Sequence, residues 1–282
     1  MNQQHFTKFF TEFFGYGNWE TQDWFLGIEE GGGNNLNQVI QKISQFYYWS
    51  NIKGGLVDNF EFQSLLDEVR AQGNRFLDWA IIGGPNAQTT WIHPMKALLF
   101  SKKGVWPDNQ QVKWSQILNL GRQNNIEDIN SCWIELLPLP NPGISNKAYC
   151  QRWPIWTREF DEIWRLPVKR QDYENNEYPG FNRSLIDFRS SIIRHNIENY
   201  KPKNIICYIG TNPNYQGIIQ NIANNLSNAS WFNHTVPNTP NFTIQYKDID
   251  WSSNQKTRMI ITRHPSRTNH EIYWRDVGYL IT

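Results

Sequence analysis

Four short apolar runs stand out along an otherwise polar chain, and each stops abruptly in a loop rich in Gly, Pro, Asn or His. Apolar runs of this length, bounded by turn-forming residues, are typical of strands that are buried on both faces of a sheet. Segments with helical periodicity lie between them, and this alternation is typical of an α/β domain. The four runs cover residues 24–28, 132–137, 205–209 and 258–262.

The most regular helical pattern covers residues 182–200, and Lys201-Pro202-Lys203 ends it. Its predicted apolar stripe consists of Leu185, Phe188, Ile192, Ile193 and Ile197. Further helices are predicted over residues 3–14, 34–50, 58–72, 89–101 and 270–281. We therefore expect a single α/β domain over residues 1–282, built as a three-layer sandwich with a mostly parallel central sheet flanked by helices.

Composition narrows the classes of function. The net charge of +1 provides no global field for coating nucleic acid, although it is compatible with a local basic rim. The three Cys residues have no CxxC spacing, which argues against a disulfide framework, a zinc site and an iron–sulfur cluster. We therefore predict no metal or other cofactor. Without a signal-peptide pattern or a membrane-length apolar run, we expect a cytoplasmic protein with no membrane partner.

Gly31-Gly32-Gly33 follows the first apolar run, as a dinucleotide-binding loop would. The GxGxxG spacing fails because Leu36 stands where the third glycine is needed, and no GKS or GKT follows. Two interpretations stay open for these glycines: a simple turn, or a place where the backbone approaches a ligand closely.

Chemically active side chains follow the first and last apolar runs. Glu29 and Glu30 end the first run, and His264 follows the last one. Ligands of open α/β sheets bind just outside the carboxyl ends of the strands, so these residues would form a hydrolytic site if the two ends lie close together. Adjacent carboxylates point to different sides, so one of the two would face the site while the other caps the next helix or stays solvated. Arg152, after a Pro-rich loop, contacts either a phosphate or carboxylate ligand or a plain salt-bridge partner.

The order of these segments resembles that of the uracil-DNA glycosylase superfamily. The resemblance rests on Gly27-Ile28-Glu29-Glu30-Gly31 after the first strand, Glu135-Leu136-Leu137-Pro138 after the second, Lys201-Pro202-Lys203 before a strand that ends in Gly210, and His264-Pro265-Ser266 after the last. It spans most of the chain and implies the fold of that family. Glu30 departs from the pattern, because the family usually has Pro at this position.

The resemblance also implies roles for individual residues. Glu29, with Glu30 beside it, falls where the family positions the attacking water, and His264 falls where it stabilises negative charge on the leaving base. Gly27 and Ile28 fall in the base-binding segment. The loop after the last strand would lie in or beside the minor groove, with Arg267 as the side chain that fills the space of the flipped base. The predicted DNA-binding residues are Arg152, Arg263, Ser266 and Arg267.

Glu135 stands where uracil-excising members of the family use Asn to read the base. An Asn amide both donates and accepts, whereas a carboxylate only accepts and therefore suits the N4 amino group of cytosine. Since unmodified cytosine would be a lethal substrate, the base is expected to be modified. The chain is similar in size and in its Glu-Glu-Gly-Gly-Gly and Arg-His-Pro-Ser-Arg segments to anti-phage glycosylases that excise glucosylated hydroxymethylcytosine.

The favoured hypothesis is thus a monofunctional DNA N-glycosylase that removes α-glucosyl-hydroxymethylcytosine from double-stranded phage DNA and acts as a monomer. Two alternatives stay open: a repair glycosylase for uracil or another deaminated base, and a module that binds modified DNA without catalysis. A nucleotide-sugar enzyme is less favoured, because no phosphate-binding motif is evident.

Overall fold

The structure of the chain is a computed structural model, and its described residues contain nine strands that form one sheet, in the order β3-β4-β1-β5-β2-β6-β9-β8-β7. The strands are β1 (Gly15–Tyr16), β2 (Asp23–Glu29), β3 (Ile52–Lys53), β4 (Leu56–Val57), β5 (Ser131–Leu137), β6 (Asn204–Cys207), β7 (Phe232–Thr235), β8 (Thr243–Ser252) and β9 (Gln255–Ile261). The residues described are 8–9, 11–29, 46, 52–57, 89–107, 131–137, 180–237, 239, 242–265, 268 and 271–282.

The four predicted apolar runs form the centre of this sheet. They correspond to β2, β5, β6 and β9, which lie side by side in the order β5-β2-β6-β9 and pair in parallel. Their side chains are buried on both faces, as the continuous apolar runs predict: every residue of β6 is buried, and so are Trp24, Phe25 and Leu26 of β2.

The sheet is mixed rather than mostly parallel, so that part of the predicted fold class is wrong. Antiparallel pairs occur on both sides of the parallel centre: β1 with β5 and β3 with β4 on one side, β8 with β9 and β7 with β8 on the other. The β8–β9 hairpin turns at Ser253 and Asn254, a two-residue connection that only antiparallel strands can use.

Four helices are described: α1 (Thr89–Lys103), α2 (Gly180–Tyr200), α3 (Pro213–Leu226) and α4 (Glu271–Leu280). The predicted helices over 89–101, 182–200 and 270–281 are confirmed by α1, α2 and α4. Helix α3 was not predicted. Helices α1 and α4 pack on each other, α2 packs on α3 and β5, and α3 contacts β8 and β9.

The apolar stripe of α2 differs from the predicted one. Ile193 and Ile197 are buried as expected, but Phe188 is 38% exposed. The buried face instead runs through Ile186, Arg189 and Ile193, at helical spacing, so a charged residue occupies a core position.

The helices run back from the carboxyl edge of the parallel strands to their amino edge. At the amino edge, Lys102 in the last turn of α1 forms a salt bridge of 2.9 Å with the buried Asp23 at the start of β2. Asn204 donates to the same carboxylate at 2.8 Å and also binds the backbone of Thr282. These contacts hold the amino edge together. Glu29 and the residues that follow β6 and β9 lie at the opposite, carboxyl edge.

Among the described residues, no helix combines the length and apolarity that crossing a bilayer requires.

Candidate functional site

The strand order identifies one place at the edge of the sheet where a ligand-binding crevice is expected. In the order β5-β2-β6-β9, the chain passes from β2 to its neighbour β5 on one side. It then returns to the other side of β2 to form β6 and β9. Such a topological switch point, here between β2 and β6, is where open α/β sheets bind ligands at the carboxyl ends of their strands. The residues at this point are Gly27 to Glu29 on β2 and Tyr208 to Gly210 after β6.

Glu29 and His264 both lie close to the ends of strands that are in register at this edge. Leu26, Cys207 and Ile261 are register partners across β2, β6 and β9, and three residues beyond each of them come Glu29, Gly210 and His264. Glu29 is also the register partner of Leu137 on β5.

Strand β6 lies between the two candidate residues, so their backbones are separated by two strand spacings, about 10 Å. The first and last of the predicted strand ends are therefore on the same edge of the sheet but are not adjacent, because β6 lies between them.

Gly210 brings the β6 and β9 ends together. The ladder continues past both strands, because Thr262 N donates to Cys207 O at 2.8 Å and Gly210 N donates to Thr262 O at 3.2 Å. Gly210 has a φ of +82°, and a Cβ placed on it would lie 3.5 Å from His264 Cβ. The chain thus turns at a glycine beside His264, which is half-buried at the edge of the crevice.

Glu135 lies two residues deeper in the sheet, because it precedes Leu137, the register partner of Glu29, by two positions. Glu135 is 1% exposed, and its Oε1 accepts a hydrogen bond of 2.9 Å from the hydroxyl of Tyr208, which is itself 2% exposed. The intervening residue on β2 is Gly27, the register partner of Glu135. A Cβ on Gly27 would lie 2.3 Å from Glu135 Oε2 and 2.6 Å from Tyr208 Oη, so any larger residue here requires these side chains to shift.

A fully buried Arg189 adjoins this pair from α2. Its guanidinium donates to the backbone carbonyls of Leu136 at 2.5 Å and Glu135 at 2.8 Å, and it lies 4.2 Å above the ring of Phe14. Burial lowers the pKa of Arg189 to about 9, and the charge of Glu135 opposes that shift. The guanidinium therefore stays charged at neutral pH.

Tyr16 of β1 also interacts with Glu135. Burial raises the pKa of the Tyr16 phenol well above its usual value, and the negative charge of Glu135 raises it further. Its hydroxyl is therefore neutral across the physiological range. The described residues that interact with the buried Glu135 thus include Tyr208, Arg189 and Tyr16.

Arg263, a predicted DNA-binding residue, is held by α4 and the β7–β8 connection. Its backbone N donates to the hydroxyl of Tyr273 at 2.7 Å, and its guanidinium lies 4.1 Å above the ring of Phe242. This stacking fixes a positive charge next to His264, on the rim of the crevice.

Several predicted site residues lie outside the described residues: Glu30, Arg152, Ser266 and Arg267. The side chains of Ile28 and Glu29 do so too, although their backbones belong to β2. Within the described part of the chain, no group of three or more His, Cys, Asp or Glu residues is placed to hold a metal ion.

Sequence reasoning missed two residues of this site, Tyr208 and Arg189. Tyr208 lies inside an apolar run, and only the strand register shows that its hydroxyl reaches Glu135. The burial of Arg189 could have been predicted from helical spacing, because it lies three residues after Ile186 and four before Ile193 on the buried face of α2.

Comparison of the chain with protein-family models, with curated proteins and with solved structures finds no match.

Proposed function

We propose that this protein is a DNA N-glycosylase of the uracil-DNA glycosylase superfamily, in a three-layer variant of that fold with a mixed sheet. Its proposed substrate is a modified, cytosine-type base, with α-glucosyl-hydroxymethylcytosine in double-stranded phage DNA favoured, and its proposed role is anti-phage defence in the cytoplasm. The supporting observation is the position of the buried Glu135 beside the switch point, two residues below the level of Glu29, at the same edge of the sheet where His264 follows β9.

Glu29 and His264 suit the two charges that develop during N-glycosidic cleavage. The reaction develops positive charge on the sugar and negative charge on the leaving base. In this proposal the Glu29 carboxylate, with Glu30 beside it, stabilises the sugar cation and orients the attacking water. The His264 ring donates a hydrogen bond to the leaving base, a contribution of roughly 3–4 kcal/mol for a preorganised donor.

Glu135 suits the reading of the base. A carboxylate that accepts one hydrogen bond from Tyr208 keeps capacity to accept others, since each carboxylate has about four acceptor sites. The N4 amino group of a cytosine-type base donates to such an acceptor, whereas O4 of uracil is repelled by it. Because Glu135 is 1% exposed, the flipped base reaches it only after the side chains above it move.

The positive charge of Arg263 beside His264 suits a nucleic-acid partner. Arg263 carries its charge beside His264, and the proposal adds Arg152, Ser266 and Arg267 as further contacts with the DNA backbone and minor groove. Base flipping exposes a single nucleotide to one crevice, so a monomer suffices for the reaction.

The proposal is tested by an alkali-cleavage assay for abasic sites on three DNAs: uracil-containing, unmodified, and phage DNA with glucosylated hydroxymethylcytosine. Wild-type protein is expected to break only the glucosylated DNA. A Glu29→Ala, Glu30→Ala double variant and a His264→Ala variant are expected to lose at least ~100-fold in rate. Glu198→Ala and His195→Ala, on the exposed surface of α2, are the matched controls and should retain full activity.

Other outcomes would redirect the proposal. Breaks confined to uracil DNA would identify a repair glycosylase and would show that Glu135 does not read the base. Binding to modified DNA without breaks in any of the three would indicate a catalytically inactive module.

A further inference from the structure

The loop that carries His264 is attached to α4 at two points, one on each side of that residue. Before it, the backbone N of Arg263 donates to the hydroxyl of Tyr273 at 2.7 Å. After it, the carbonyl of Thr268 accepts a hydrogen bond of 2.7 Å from Nε1 of Trp274. Two neighbouring side chains in the first turn of α4 therefore hold the two ends of a short segment with His264 between them.

The side chains that form these attachments are shielded from water. Tyr273 and Trp274 are both 0% exposed, and Thr268 is 1% exposed. Such hydrogen bonds are costly to break, because the buried hydroxyl or indole N–H would be left without a partner. Thr268 N also donates to Pro265 O at 3.2 Å, so the residue directly after His264 is tied to the same anchor.

Helix α4 is itself a firm base for the loop. It lies close against α1, since a Cβ placed on Gly278 would come within 2.8 Å of Ala97 O. The Trp274 ring also stacks on His93 of α1, with ring centroids 6.0 Å apart and planes 13° from parallel. Functional groups that are supported by packed helices are held more precisely than groups on unsupported loops. The attachments therefore give the His264 loop the rigidity of the helix pair.

This rigidity matters for the chemistry proposed for His264. A hydrogen-bond donor stabilises charge on the leaving base most when it is in place before the reaction begins. Displacement of a catalytic group by about 1 Å, even through a distant mutation, can lower the rate by roughly 100-fold. A loop that moved freely around His264 would lose this advantage.

We propose that Tyr273 and Trp274 are positioning residues, which fix the backbone on both sides of His264 and so preorganise its ring for the leaving base. The effect on rate rests on the proposed glycosylase function. The order of the loop is measurable without any DNA.

The first experiment measures ¹⁵N relaxation of the His264 amide by NMR in the free protein, with His264→Ala to assign the signal. In the wild type the order parameter should equal that of α4, about 0.85. Tyr273→Phe and Trp274→Phe each remove a hydrogen-bonding group but keep an aromatic ring. Each should lower the order parameter, and the double variant should bring it below about 0.6. A wild-type value below about 0.6 would overturn the proposal, even if no variant folded.

Trp251→Phe is the matched control for Trp274→Phe. Trp251 Nε1 donates to Thr257 Oγ1 at 2.8 Å, beside the start of β9 and so at the edge of the sheet opposite His264. This variant loses an indole hydrogen bond of nearly the same length, and should leave the order of the His264 amide unchanged. An equal loss of order in both variants would reflect general destabilisation and would refute the positioning role.

The second experiment measures the single-turnover rate of excision from glucosylated DNA and, separately, the Kd for that DNA. Tyr273→Phe and Trp274→Phe should each lower the rate by roughly tenfold to 100-fold and change Kd by less than about threefold. In a His264→Ala background the same substitutions should cause no further loss of rate, because they act through His264. Equal losses in both backgrounds would refute that route.

The two experiments separate the two proposals. A His264 loop that is ordered and loosens as expected, without activity on any DNA, would refute the glycosylase function and leave the support by α4 standing. Activity on glucosylated DNA that is unchanged in folded Tyr273→Phe and Trp274→Phe would support the function and refute the positioning role.

Discussion

The hydroxyl of Tyr208 reaches the carboxylate of Glu135, at 2.9 Å, across a strand that lies between the two residues. The contact is possible because the intervening strand β2 has Gly27 at that level and therefore no side chain in the way. A glycine, a phenol and a carboxylate from three parallel strands thus form the floor of the crevice, and each of them is open to a specific test.

Replacing Gly27 with Ala should displace both partners. The new Cβ would lie 2.3 Å from Glu135 Oε2 and 2.6 Å from Tyr208 Oη, far inside van der Waals contact. We expect a loss of about 1–3 kcal/mol in the free energy of unfolding, measured by urea denaturation, together with loss of excision.

Gly217→Ala is the matched control for Gly27→Ala. No atom lies within 4 Å of a Cβ at Gly217, and the residue belongs to α3, so this variant should be unchanged or up to about 1 kcal/mol more stable. A Gly27→Ala variant as stable and as active as the wild type would refute the packing described for the crevice floor.

Tyr208→Phe should remove the hydrogen bond without removing the ring. A buried carboxylate that loses a donor costs about 1–3 kcal/mol, and this cost should appear in urea denaturation at pH 7. Tyr279→Phe, at a tyrosine that is 72% exposed, should change the free energy of unfolding by less than about 0.5 kcal/mol. Equal stability of the two variants would mean that the Tyr208 hydroxyl contributes nothing to the fold.

The antiparallel pair of strands β8 and β9 provides a test of how stability depends on pH. Asp248 of β8 faces its register partner Arg258 of β9 in a two-point contact of 2.7 and 2.9 Å. The hydrogen bonds from Arg258 lower the pKa of Asp248, and the positive charges of Arg258 and Lys256 add to this shift. Because the folded state holds the proton less tightly than the unfolded state, the contribution is present at neutral pH and is lost as the pH falls below about 4.

The measurement is thermal unfolding of wild type, Asp248→Asn and Asp250→Asn between pH 7 and pH 3. Asp248→Asn should be less stable than wild type at pH 7, and the difference should shrink toward pH 3. Asp250→Asn, at an exposed position of the same strand, should track the wild type. A constant difference between wild type and Asp248→Asn at every pH would show that the ion pair is not the source of the effect.

The four central strands were predictable because the pattern that indicates each of them lies within the strand itself. Strands buried on both faces read as continuous apolar runs, and the four runs from Trp24 to Thr262 are the four central strands. The antiparallel strand β8 was not predicted. Lys247, Asp248 and Asp250 stand between its apolar positions, so its sequence lacks a continuous apolar run. Helix α3 was hidden by its many Asn residues, which favour turns over helix interiors.

The site was predictable only as far as strand ends show it. Glu29 and His264 follow apolar runs, so the rule for strand ends identifies them, and both runs form central parallel strands of the sheet. Tyr208 and Arg189 were missed because their roles depend on partners distant in sequence. The hydroxyl of Tyr208 matters through Glu135, 73 residues away, and Arg189 matters through carbonyls 53 and 54 residues away.

The most direct test of the account is the identity of the base released from phage DNA, measured by mass spectrometry of the free bases after incubation with wild-type protein and with Glu135→Gln. The account predicts that the wild type releases glucosylated hydroxymethylcytosine in step with abasic sites, and that Glu135→Gln shifts release toward uracil when both DNAs are offered. Release of uracil alone by the wild type, or of no base at all, would contradict it.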